Sequence, residues 1–259
     1  MSNILNVEFL NSKIDSRFEL KNITFKIESG LITGVIGPNG SGKTTLLKII
    51  SGLLNFDNGL IEINGNNLLN MNNSTKSKLV TFTPQTYIPV FDFTVYQTVL
   101  LGRLPYNLWY KNTTEFDESV CEECMILTDI HKLKELSIKK ISGGELQRVM
   151  IAKALAQETK LIVLDEPLTH LDPFYQKEIF KNIQILCKKK NIKVIASFHD
   201  INFASSFCEN IIALHNGEII SQGEPNNVIT KNVLHKLFNS NFEIQINNQN
   251  KITVLQNLT

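Results

Sequence analysis

The octet GPNGSGKT, Gly37 to Thr44, combines three glycines with a lysine and a hydroxyl, the set needed to wrap backbone around a phosphate. Glycine carries no β-carbon, so Gly37, Gly40 and Gly42 let amide N–H groups approach an anion closely. A helix opening at the end of the octet would add its free N–H groups and the positive end of its dipole. Lys43 is then spaced to reach β- and γ-phosphates, and the Thr44 hydroxyl to ligate magnesium. This chemistry is phosphate binding.

A second constellation is acidic. LIVLDEP, Leu161 to Pro167, reads as a buried strand that ends in two adjacent carboxylates. Successive strand side chains point to opposite faces, so Asp165 and Glu166 are expected to take different roles. Asp165 suits the magnesium shell; Glu166, beyond the strand end, suits orienting or deprotonating the attacking water. His199, followed by Asp200, stands at another strand end, where a neutral imidazole could bridge γ-phosphate and water. Gln85, also at a strand end, could complete the magnesium shell through its amide oxygen.

Elements of fixed type must hold these groups. Asn3 to Phe9 and Phe18 to Ile27 alternate as strands do, and Leu31 to Ile36 is a short β-branched run between glycines. Thr44 to Leu54 carries helical spacing. Leu60 to Ile63 runs into an Asn64-Gly65 turn, and Lys78 to Thr83 reads as a further strand. Asn64 to Asn73 is expected to be solvated turn. Helical texture follows at Val95 to Leu101, Glu115 to Leu127 and Glu145 to Gln157. Strands return at Leu161 to Leu164, Lys193 to Ser197 and Ile211 to Leu214, separated by helices at Gln176 to Lys189 and Ile201 to Cys208. Such alternation predicts an α/β fold with a mainly parallel sheet. From Val228 a short helix leads into a hairpin, Phe242 to Ile246 and Lys251 to Leu255.

Composition limits the alternatives. Lys and Arg number 26 against 25 Asp and Glu, which gives no electrostatic ground for a nucleic-acid partner. Four cysteines in 259 residues do not make a disulfide framework. Cys121 and Cys124 are spaced to share one helix face and read as packing residues. The opening MSNILNVEFL lacks the marks of a secretory leader, and no run is apolar enough to span a bilayer. A cytoplasmic chain that reaches a membrane only through a partner is expected.

ISGGELQR, Ile141 to Arg148, is more than a generic phosphate-loop protein requires. It resembles the signature sequence of ABC-type ATPases, and the other motifs fall in that family's order. GPNGSGKT resembles its phosphate loop, Gln85 its Q-loop, LIVLDEP its second Walker motif, LTHLD (Leu168 to Asp172) its D-loop and His199 its switch histidine. The resemblance implies a RecA-like P-loop NTPase core with an N-terminal antiparallel β part and an inserted helical subdomain. It implies one ABC ATPase domain over 1–259, with the α/β core at 1–85 and 160–259 and the helical subdomain at 86–159. ATP and Mg2+ are the implied ligands. Gly37, Pro38, Asn39, Gly40, Ser41, Gly42, Lys43, Thr44 and Thr45 would bind the nucleotide, and Thr44, Gln85 and Asp165 the metal. Glu166, His199 and Gln85 are the implied catalytic set. Ser142, Gly143, Gly144 and Glu145 would close on the γ-phosphate held by a second subunit, with Asp172 near the seam, so the implied working unit is a homodimer.

DFTVYQTVLLGRLPY, Asp92 to Tyr106, is similar to the subgroup serving iron-siderophore, haem and cobalamin importers. That resemblance implies transmembrane permease partners on the cytoplasmic face of the cell membrane and, indirectly, a substrate-binding protein. Gln85 to Phe93, with Tyr87, Phe91 and Phe93, is expected to receive a short permease helix. Zinc or manganese cargo, or a soluble ATPase of iron–sulfur cluster assembly, are the competing readings. Two departures from the family pattern lie in the signature, where Ile141 replaces leucine and Glu145 replaces glutamine. A third concerns the adenine platform: the aligned position is Ile14, and Phe18 and Phe9 are the nearest aromatics.

Overall fold

An antiparallel sheet opens the chain. The computed structural model describes residues 4–14, 18–27, 32–106, 113–169, 171–246 and 252–256. Asn3, Leu31, His170 and Lys251, all within the segments read above, lie outside them. β1 (Leu5–Lys13) pairs antiparallel with β2 (Glu19–Ile27). β3 (Ile32–Ile36) is buried at all five positions. The phosphate-loop octet joins it to α1 (Lys43–Ile50). β4 (Asn58–Ile63) and β5 (Asn66–Asn67) complete the first sheet in the order β2-β1-β4-β5.

The segment expected as solvated turn is more ordered than that. Asn67 caps a 3-10 turn at Leu68–Asn70, and the Asn72 side chain accepts the Thr75 N–H at 2.8 Å to start α2 (Asn73–Leu79). Asparagine is a strong N-cap because its short side chain satisfies an otherwise orphaned donor. The helix so started runs through Lys78 and Leu79, which had read as strand, and β6 is only Val80–Thr83.

Three helices then follow. α3 (Val95–Leu100), α4 (Glu115–Leu127) and α5 (Gly143–Ala156) pack on one another, and Thr94, Thr114 and Ser142 each start one with a reciprocal capping box. Arg103 lies among them, 3% exposed. Its guanidinium donates to Asp117 Oδ1 at 2.8 Å, Ala156 O at 2.8 Å and Glu158 Oε2 at 2.9 Å, and lies 4.4 Å from the Tyr106 ring centre. β7 (Leu161–Leu164) pairs parallel with β6, and α6 (Pro173–Lys190) follows.

β8 (Lys193–Phe198) and β9 (Asn210–His215) flank β3, both parallel to it, with α7 (Ile201–Phe207) between them in the chain. β10 (Glu218–Gly223), not foreseen in the sequence, turns back antiparallel on β9. α8 (Pro225–Val228) and α9 (Lys231–Phe238) lead to an antiparallel hairpin of β11 (Phe242–Ile246) and β12 (Ile252–Gln256). The fold is mixed α/β, with parallel strand pairs and an antiparallel N-terminal part, as the alternation of elements predicts. By contact the chain divides into two units, 1–71 with 193–259, and 72–192. β6, β7 and α6 thus group with the helical segment.

Candidate active site

In the first unit, the loop between β3 and α1 has backbone shapes that its residue types dictate. Gly40 and Gly42 have φ of 76° and 105°. A β-carbon on Gly37 would stand 2.1 Å from the Leu214 carbonyl oxygen, so only glycine fits. Lys43 is 6% exposed, and its ammonium donates to the carbonyls of Gly37 at 2.9 Å and Pro38 at 3.1 Å. Those acceptors offset the cost of burying the charge and hold it across the loop. The Ser41 hydroxyl is buried without a hydrogen-bond partner, while Asn39 and Gly40 are exposed at the loop's rim. Thr44 and Thr45, half-buried, open α1.

A residue the motif does not contain also holds the loop. Gly217, in the turn between β9 and β10, donates its N–H to Ser41 O at 3.0 Å and accepts from the Lys21 N–H at 2.9 Å. Its φ is +78°, and a β-carbon there would lie 2.0 Å from Glu19 O. The dipeptide Asn216-Gly217 is a legible turn signal; its docking on the loop is not. Phe18, of the aromatic candidates, lies against the loop, its ring 2.6 Å from where a Gly42 β-carbon would be. Ile14 closes the β1–β2 turn by donating to Phe18 O at 3.0 Å, and Phe9 stands 65% exposed in a left-handed kink where the register of β1 slips. His199 is exposed, one residue past β8 and one before Asp200, whose carboxylate caps α7.

In the second unit, Asp165 and Glu166 both lie past Leu164, the last residue of β7. Their separation is therefore not the strand alternation expected. Asp165 is 2% exposed, and its N–H donates to Thr83 O at 2.9 Å. Glu166 takes a left-handed backbone, φ 49°, costly for a residue with a β-carbon and typical of positions under functional constraint. That kink aims Glu166 at Gln85, whose Nε2 donates to Glu166 Oε2 at 2.5 Å. Two strand ends 81 residues apart in the chain so present an amide and a carboxylate together.

The signature stands at the N-terminus of α5. Ser142 accepts from the Glu145 N–H at 3.3 Å and gives its own N–H and hydroxyl to Glu145 Oε2, at 2.7 and 2.8 Å. These bonds hold the Glu145 carboxyl below the usual carboxylate range. Gly143 and Gly144 form the first turn. Asp172 is exposed and caps α6 through the N–H groups of Phe174 at 3.0 Å and Tyr175 at 3.2 Å. In the expected docking segment Phe91 is 66% exposed, joined by Ile88 and Val90, whereas Tyr87 and Phe93 are half-buried. Cys121 and Cys124 are buried, and burial pushes their thiols up to about 11 and about 12. Among the described residues no cluster of His, Cys, Asp and Glu could hold a metal ion, and no helix is long and apolar enough to cross a membrane.

Residues 20–169 match the ABC transporter family. The chain belongs to the ABC transporter ATP-binding family. This ABC ATPase is 34% identical over 93% of its length to the iron(3+)-hydroxamate import ATP-binding protein FhuC of Bacillus subtilis (strain 168), covering 90% of that protein. It is 33% identical over 87% of its length to the ABC transporter ATP-binding protein YvrA of the same organism, of which it spans 51%. Among solved structures, an inward-facing ABC transporter of metal-chelate type matches with a TM-score of 0.85 and 25% identity, over 99% of this chain and 98% of that one. A dimeric ATP-binding cassette in a post-hydrolysis state, bound to ADP and Pi, matches with a TM-score of 0.75 and 26% identity, over 85% of this chain and 98% of that one.

Proposed function

We propose that this ABC ATPase binds and hydrolyses ATP as a homodimer to power an importer for an iron-siderophore, haem or cobalamin. The observation that carries the hydrolytic reading is the Gln85–Glu166 contact, made by the two residues required at the γ-phosphate and held by a strained backbone. Lys43, already folded over the loop, exchanges its two carbonyl acceptors for β- and γ-phosphate oxygens. Phe18 offers the base an apolar wall in place of the aromatic missing at Ile14. The buried carboxylate of Asp165, the Thr44 hydroxyl and the Gln85 amide oxygen are hard oxygen donors that fit Mg2+. When bound, that ion neutralises charge on the phosphates. Glu166 orients the attacking water and takes its proton, and His199 steadies the γ-phosphate. Ser142, Gly143 and Gly144, at a helix N-terminus, close the site of the partner subunit, with Asp172 at the seam.

The importer reading is supported by the FhuC match and by the metal-chelate type structure. The permease helix docks at Ile88, Val90 and Phe91 on the cytoplasmic face of the membrane. Glu166→Gln tests the hydrolytic scheme. With MgATP the variant should run as a stable dimer on size exclusion while the wild type does so only transiently. A variant that hydrolyses at the wild-type rate removes Glu166 from its role. Cells carrying the variant should also stop taking up one of the three cargo classes, and uptake of all three at normal rates would exclude the importer assignment.

A further inference from the structure

His199 stands two residues before α7, and a helix of seven residues does not fix its own direction; its neighbours must. Asp200 caps it, accepting the Phe203 N–H at 3.0 Å. On its inner side the Phe203 ring lies 5.8 Å from that of Phe198, at the end of β8, and stacks on Phe207 at 4.4 Å. The other contact comes from the end of the chain. The Asn202 amide treats β12 as a neighbouring strand would. Its Oδ1 accepts the Val254 N–H at 2.6 Å, and its Nδ2 donates to Val254 O at 3.0 Å. One turn on, the Ser205 hydroxyl donates to Ile252 O at 3.2 Å. β11 occupies the opposite edge of β12, and the Ile252 and Val254 side chains are buried.

We infer that the C-terminal hairpin is a brace that sets the direction of α7, and with it the position of His199, with Asn202 as the positioning residue. A planar amide suits this task because it offers one donor and one acceptor at the spacing of a peptide group. Alanine has neither. Aspartate keeps the acceptor but turns a carboxylate oxygen toward the Val254 carbonyl. The inference rests on the γ-phosphate role proposed for His199, and it adds that residues over fifty positions away hold that histidine in place.

ATP hydrolysis by the full chain, followed by phosphate release, tests it in wild type, Asn202→Ala, Asn202→Asp, His199→Ala and the double variant His199→Ala/Asn202→Ala. Asn202→Ala should lower kcat about fivefold while KM for ATP stays within about twofold, because the phosphate loop is untouched. Asn202→Asp, which preserves volume, should lose at least as much and serves in its place if the alanine variant unfolds. In the His199→Ala background, Asn202→Ala should change the residual kcat by less than about twofold, since a positioning residue has nothing left to position. A rise in KM alongside the fall in kcat overturns the inference, as does a full fivefold loss that recurs without His199; Asn202 then supports only the fold. Wild-type kcat in His199→Ala alone would instead remove the role of His199, and the brace with it.

Discussion

Arg103 offers the sharpest energetic test of the helical segment, because its charge is almost wholly withdrawn from water. The guanidinium is 3% exposed and its main partner, Asp117, 2% exposed, with 2.8 Å between Nε and Oδ1. Asp117 also accepts from the Thr114 N–H at 3.2 Å and hydroxyl at 2.7 Å, so it caps α4 while it pairs. Arg103→Met keeps much of the side chain's length but leaves that carboxylate buried without its cation. Breaking one partner of a buried pair costs about 3–5 kcal/mol. For a chain of this size, each kcal/mol moves the melting midpoint by about 2–4 °C, so the expected loss is of order 10 °C. The measurement is thermal unfolding followed by circular dichroism. A second variant, Arg103→Met/Asp117→Asn, removes the stranded charge while its amide oxygen can still accept from Thr114, and should recover about 1–3 kcal/mol of the loss. The reasoning fails if Arg103→Met costs less than about 1 kcal/mol, or if the double variant is less stable than the single one.

Three further outcomes are expected. Cys121 and Cys124, with thiols raised to about 11 and about 12, and Cys208, raised further by burial, should resist thiol reagents at pH 8 until the chain unfolds. Unfolded thiols ionise from about pH 8.5 while these stay protonated, so the folded state binds more protons and its stability should fall as pH rises above about 9; reaction of native protein within seconds would contradict the burial. At the signature, Glu145→Gln removes a negative charge from the helix terminus proposed above to meet the partner's γ-phosphate. The ATP-bound dimer should tighten about two- to fivefold by analytical ultracentrifugation, and a weaker dimer would mean that the carboxylate serves the contact.

Much of the fold was legible because local signals agreed. Glu115–Leu127 and Leu161–Leu164 match their predicted spans residue for residue, one started by a capping threonine and the other an unbroken apolar run. Lys78 and Leu79 were misread because their pattern suits strand or helix, and the deciding cap, Asn72, stands six residues upstream of Lys78. For the candidate site, the sequence names residues but not their conformations. Nothing in LIVLDEP announces that Glu166 leaves the strand in a left-handed turn, since glutamate is not a residue that favours one. Asn202 and Gly217 escaped for a different reason. Each acts through backbone groups far along the chain, Val254 and Ser41, and a partner's carbonyl leaves no mark on composition or spacing.

Gly217 also bears on how the protein comes into being. A ribosome that has emitted the first 50 residues has delivered every side chain of GPNGSGKT, yet the carbonyl of Ser41 still lacks the N–H that holds it, which belongs to Gly217, 176 residues further along. β9, whose Leu214 carbonyl walls the same loop, arrives no sooner. The cradle is thus written early and finished late. A nascent chain, or one truncated before the β9–β10 turn, carries the complete motif without the clasp that shapes it.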